Sequence, residues 1–129
     1  MSTSHAANPD RLLPADPGTR DIARRLLANV EDLPIISPHG HLDPAMFTRD
    51  EAFENPTALL ISPDHYLTRV LHTAGHELSE LGVGGHEADP REAWRIFASN
   101  WHLYAGTASG YWLEQEFEHV FRINPDRLS

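Results

Sequence analysis

The sequence predicts a mostly α-helical chain built around one short β-strand. Three observations predict it. An acidic or amide residue followed by proline recurs at Asp16-Pro17, Asp43-Pro44, Asn55-Pro56 and Asp89-Pro90; such a pair caps a helix and pre-sets its first backbone angle. Behind most of these starts, apolar residues return at helical spacing. The exception is Ile35-Ile36, β-branched and set between Pro34 and Pro38, which reads as a buried strand.

Taken in order, residues 1–9 read as a frayed, disordered N-terminus. Asp16-Pro17 opens a helix whose stripe is Ile22, Ala23, Leu26, Leu27 and Val30, with Arg20, Arg24 and Arg25 outside it. Leu33-Pro34 ends this helix and leads into the strand. Asp43-Pro44 and Asn55-Pro56 open short helical turns. Ser62-Pro63-Asp64 starts a helix closed by Gly75, and Gly75, Gly82, Gly84 and Gly85 lie in a glycine-rich connection. That connection lacks the lysine and hydroxyl residue of a P-loop, so it does not read as a phosphate site. Asp89-Pro90 opens a helix with a stripe through Trp94, Phe97, Ala98, Trp101 and Tyr104, ending near Gly106. Ser109 is positioned to cap a last helix through Trp112, Leu113, Phe117 and Phe121. The tail from Ile123 to Ser129 begins another cap-like pattern and stops, as at a boundary cut into a longer protein.

Composition narrows the function. The 129 residues allow one domain with a real core, whereas an ordinary (β/α)8 barrel needs about 250. A formal net charge of −9 argues against nucleic acid and anionic membranes as partners. Without cysteine there is no disulfide and no thiolate metal ligand. No apolar run approaches the length of about 18 residues that spans a membrane. The N-terminus has neither a basic start nor an apolar core, so a cytoplasmic protein is expected.

Two stretches carry chemistry. His39 and His41 flank Gly40 directly after the strand; in an extended segment residues i and i+2 point to one side, so both imidazoles could reach one divalent metal such as zinc. The pair is also compatible with two surface histidines in a loop. On the helix after Asp64, Leu67, Val70, Leu71 and Ala74 share one face with Tyr66 at its margin, and His65, Arg69 and His72 form a ridge opposite. That ridge reads either as a solvated polar face or as a cationic surface for an anionic ligand. His72 and His76 are spaced like a helical metal pair, but Gly75 interrupts the helix between them, so they read as structural or surface residues.

Three segments together, Leu33-Pro34-Ile35-Ile36-Ser37-Pro38-His39-Gly40-His41-Leu42-Asp43-Pro44, Pro63-Asp64-His65-Tyr66 with Arg69, and Asp89-Pro90-Arg91-Glu92-Ala93-Trp94, resemble the N-terminal part of the uronate (glucuronate) isomerase family of the amidohydrolase superfamily. The resemblance runs collinearly from about residue 10 to the end. It implies residues 10–42 as an N-terminal helix and the first strand of a (β/α)8 barrel, and 43–129 as a helical insertion, or lid, with the rest of the barrel absent. It further implies interconversion of D-glucuronate with D-fructuronate and of D-galacturonate with D-tagaturonate. His39 and His41 would be metal ligands, His65 and Tyr66 catalytic, and His65 and Arg69 would meet the hexuronate. Two positions depart from the family pattern: Gly40, where many members carry cysteine, and His72, where many carry arginine.

Two histidines do not complete a catalytic zinc site, so the chain by itself is expected to be inactive. Homo-oligomerisation of the full-length protein is left open. Rival readings are another metal-dependent amidohydrolase, a hydrolase or deaminase, and a non-catalytic helical binding module with incidental histidines.

Overall fold

The computed structural model of the chain describes residues 8–37, 39–40 and 43–128. Most of the expected frayed end, and His41 of the histidine pair, lie outside these residues. The chain forms two compact units, Met1–Gly40 and His41–Ser129.

In the first unit, helix α1 covers Pro17–Leu27. Its N-cap is Asp16, whose carboxylate accepts from the Thr19 amide at 2.8 Å and the Thr19 hydroxyl at 2.7 Å. Arg24 reaches back across the preceding turn to pair with Asp10, and Arg20 donates to the Pro14 carbonyl at 3.0 Å. These polar contacts tie residues 10–16 to α1. The apolar stripe does not contribute in the same way, because α1 has no buried residue and Ile22, Leu26, Leu27 and Val30 are all exposed.

The expected buried strand is not formed. Ile35 and Ile36 are 93% and 90% exposed, and no strand occurs among the described residues. Ser37 Oγ instead donates to the His39 carbonyl at 2.8 Å, a local loop bond where a strand would make ladder bonds. The physical reason is that a strand needs a neighbour for its backbone groups and a layer to cover its side chains. Periodicity and β-propensity cannot supply either.

The second unit is helical, as expected. Helix α2 is Met46–Arg49, α3 is Pro56–Leu60, α4 is His65–Thr73, α5 is Pro90–Ser99 and α6 is Ala108–Gln115. Asn55, Asp64 and Asp89 cap α3, α4 and α5 through side-chain acceptors on Ala58, Tyr66 and Arg91 amides. Asp43 acts slightly ahead of its helix, turning the chain by accepting from the Ala45 amide at 2.9 Å. Short 3-10 turns at Leu78–Leu81 and Val83–Gly85 occupy the glycine-rich connection. Gly75, at φ 103°, turns the chain out of α4, a conformation glycine adopts without steric cost.

Two helix boundaries differ from expectation. The aromatic stripe from Trp94 to Tyr104 is split: α5 stops at Ser99 and a 3-10 turn covers Trp101–Tyr104. Asn100 sits at the break, its side-chain amide donating to the Ile96 carbonyl at 2.8 Å and offering a second hydrogen to His76 Nε2 at 3.1 Å; a side chain bonding to its own helix competes with continuation. The cap of α6 is Thr107 and not Ser109, with Thr107 Oγ1 accepting from the Gly110 amide at 3.0 Å. Beyond Gln115 the helix widens into a π-turn at Glu116–Val120.

The core of this unit joins Leu67 and Leu71 of α4 to Phe97 of α5, Leu113 of α6, and Ile61, Leu81, Tyr104 and Phe117. Phe97 is its aromatic centre, with ring centroids 5.5 Å from Trp94, 5.5 Å from Trp101 and 5.6 Å from Tyr104. Two buried-side hydroxyls tie the layers together: Thr57 Oγ1 to the Pro90 carbonyl at 2.6 Å, and Ser62 Oγ to the Leu81 carbonyl at 2.7 Å. Among the described residues no helix is long and apolar enough to cross a membrane.

Candidate functional site

Helix α4 presents the cluster. Asp64 holds its first turn, with Oδ1 accepting from the Tyr66 amide at 2.8 Å, and Thr68 Oγ1 donates to the Asp64 carbonyl at 3.2 Å. Leu67 and Leu71 face the core as the helical wheel requires, and Thr68 joins them. Ala74 does not: it lies past the last helical residue and is exposed.

The opposite face carries the predicted ridge. His65 and Tyr66 lie side by side, ring centroids 4.4 Å apart and inclined at 36°. Arg69 folds back toward the helix start, its Nε donating to the His65 carbonyl at 3.2 Å and its guanidinium carbon 5.2 Å from the Tyr66 ring centroid. Cation and ring attract through the ring's negative face, so one turn of helix gathers an imidazole, a phenol and a guanidinium. Tyr66 is 42% exposed. Next to this cluster Arg69, Val70, Thr73, Ala74 and Leu103 line an open depression of about 400 Å³.

His72, further along the ridge, is exposed and turns one ring nitrogen back onto the main chain. Its Nδ1 lies 2.9 Å from the His76 carbonyl, which can only accept, so this nitrogen carries the proton. The facing Asn100 amide gives His76 Nε2 the acceptor role. His72 thus contacts the turn after α4, and His76 the end of α5.

His39 is exposed and belongs to the first unit. Among the described residues no group of three or more histidine, cysteine, aspartate or glutamate side chains is placed to hold a metal ion. The donor chemistry of the histidine pair suits a divalent ion, but two imidazoles leave such a site incomplete.

A second, smaller cavity of about 200 Å³ lies behind the start of α4, lined by Leu59, Leu60, Asp64, Leu67, Trp112 and Glu116 among others. Partial desolvation there, and then the nearby Asp64 carboxylate, raise the Glu116 carboxyl above its usual range. Burial raises the Tyr104 phenol, again with help from Asp64. Sequence reasoning placed Tyr104 in an apolar stripe and gave its hydroxyl no role. The available signal was the residue type itself, since a tyrosine within a Trp/Phe stripe brings a hydroxyl that must find a partner when buried.

Residues 18–129 match the family model described as glucuronate isomerase. The chain is 78% identical to the uronate isomerase of Corynebacterium efficiens over 130 residues, covering all of this chain and 28% of that protein. It is 75% identical to the uronate isomerase of Corynebacterium glutamicum, covering 25% of that protein. The crystal structure of glucuronate isomerase from Caulobacter crescentus aligns over 98% of this chain and 28% of its own, at 45% identity and a TM-score of 0.84. The chain thus spans about a quarter of the length of these relatives. With its motifs in collinear order, and with family-level similarity over almost its whole length, this chain belongs to the glucuronate isomerase family.

Proposed function

We propose that the full-length polypeptide to which this chain corresponds is an intramolecular oxidoreductase, an aldose–ketose isomerase acting on hexuronates. D-glucuronate would be interconverted with D-fructuronate, and D-galacturonate with D-tagaturonate, in cytoplasmic uronate breakdown. The observation that carries this reading is the His65–Tyr66–Arg69 cluster on one turn of α4, in a chain of this family.

The reaction moves the C2 proton of a 2-hydroxy aldehyde to C1 and the O2 proton to O1, through an enediol. That exchange needs a base and an acid within reach of adjacent atoms. His65 and Tyr66 are the assigned pair, one imidazole and one phenol side by side. Arg69 supplies a guanidinium for the substrate carboxylate, which it can grip through paired N–H donors. His65 adds a second polar contact to the sugar.

In this reading the segment around Ile35-Ile36 becomes the first strand of a (β/α)8 barrel when the remaining strands are present, and residues 43–129 form a helical lid. His39 and His41 would supply two imidazole ligands to a divalent metal, zinc in the first instance. Further ligands would come from the part of the relatives' length that this chain does not span. Such a metal, when bound, polarises substrate oxygens.

The test exchanges this chain for the matching 130 residues of the Corynebacterium efficiens uronate isomerase. The chimera should convert D-glucuronate to D-fructuronate, and His65→Ala or Tyr66→Phe should each lower kcat by about 100-fold or more. A folded, metal-loaded chimera that forms no ketose overturns the proposal.

A further inference from the structure

Tyr104 is only 1% exposed, yet it carries a hydroxyl into the core. That hydroxyl donates to the main-chain carbonyl of Leu67 at 2.9 Å, across 37 positions of sequence. The aromatic cluster around Phe97 needs a ring at this place, and phenylalanine would provide one. A buried hydroxyl is favourable only while its partner stays within bonding distance. Its presence therefore ties the position of the 3-10 turn at Trp101–Tyr104 to the position of the first turn of α4.

The bond falls next to the chemistry. Leu67 follows Tyr66 directly, so the chain on the C-terminal side of Tyr66 is held by Tyr104, while the Tyr66 amide itself is held by Asp64 at 2.8 Å. Tyr104 is in turn backed by Gly110, where any Cβ would collide with the Tyr104 carbonyl. The first turn of α4 is thus fixed from two sides by groups that do not lie on its exposed face.

We propose that Tyr104 and Asp64 are positioning residues for the isomerase site, setting the register of the His65 and Tyr66 rings through the main chain of α4. The assignment rests on the isomerase reading above. Proton transfer between fixed carbons tolerates little displacement, whereas a long arginine side chain can follow a carboxylate through a small shift. Loss of either hold is therefore expected in kcat more than in KM.

The experiment uses the same chimera. Tyr104→Phe should lower kcat about tenfold with KM for D-glucuronate changed by less than about twofold, in protein whose near-ultraviolet circular dichroism matches the parent. Asp64→Ala, which removes the cap, should lower kcat by about as much, and Asp64→Asn, which keeps a good cap without the charge, should restore it to within about threefold. Should Tyr104→Phe fail to fold, the two Asp64 variants decide: recovery by asparagine supports positioning, and an asparagine variant as slow as the alanine one overturns it. An active chimera indifferent to Tyr104→Phe also overturns the assignment while leaving the isomerase reading intact. A parent chimera without activity removes both.

Discussion

Gly110, in the first turn of α6, faces the Tyr104 main chain so closely that a Cβ would meet its carbonyl oxygen. The approach brings the cap of α6 against the turn that holds the buried aromatic rings, and Thr107 Oγ1 donates to the same carbonyl at 2.7 Å. Glycine is needed here for space, since its backbone angles are ordinary helical ones. Gly110→Ala should destabilise the chain by about 1–3 kcal/mol, as overpacking does. Urea unfolding compares the two proteins directly, and equal midpoints would show that α6 can move aside without cost.

Phe97 touches three other aromatic rings and is almost completely buried. Phe97→Ala removes the centre of that cluster and should cost about 3–5 kcal/mol. The near-ultraviolet circular dichroism of the tryptophans should weaken with it, because Trp94 and Trp101 lose the ring that orients them.

Two carboxyls predict opposite pH responses. Glu116 is raised above its usual 4.5 by desolvation and by Asp64, so the folded chain holds that proton more tightly than the unfolded chain. Its contribution is present below that usual value and lost as pH rises through the folded one. Asp10 is lowered below 3.8 by its hydrogen bond and ion pair with Arg24. Its contribution is present above the usual value and lost as pH falls through the lower folded one. Glu116→Gln should flatten the decline of stability on the alkaline side of 4.5, and Asp10→Asn the decline on the acid side of 3.8. Unfolding midpoints measured across both ranges check the signs, and slopes unchanged by the substitutions would contradict them.

Arg69 is paired in the structure with a ring and a carbonyl, and among the described residues with no carboxylate. In the active chimera, Arg69→Ala should raise KM for D-glucuronate by about tenfold or more, the usual weight of a charged hydrogen bond. A neutral analogue lacking the carboxylate should bind equally to both proteins. Equal loss for charged and neutral sugars would mean that Arg69 acts through Tyr66 and not on the substrate.

The proposed metal site can be tested by retention. His41→Ala in the chimera should abolish retention of zinc through gel filtration, measured by metal analysis. The 129-residue chain itself should retain none and should catalyse nothing, since two imidazoles are short of a closed or catalytic site. Stable stoichiometric zinc on the isolated chain would require ligands beyond His39 and His41.

Much of the second unit was legible in one dimension because its helix starts are local devices. Asn55, Asp64 and Asp89 each satisfy an amide two or three residues on, within reach whatever the remainder of the chain does. The Leu67–Leu71 stripe and the opposite His65–Arg69 ridge follow from the helical period alone, and so does the approach of Arg69 to His65. Only packing decided the rest. The contact at the end of α5, where the Asn100 amide lies 3.1 Å from His76 Nε2, brings together positions far apart in sequence. Tyr104 acquired a partner because Leu67 arrived from 37 positions away. Ile35 and Ile36 have the residue types of a strand and remain 93% and 90% exposed, because strand formation is a property of pairs: its hydrogen bonds leave the segment, whereas those of a helix stay inside it.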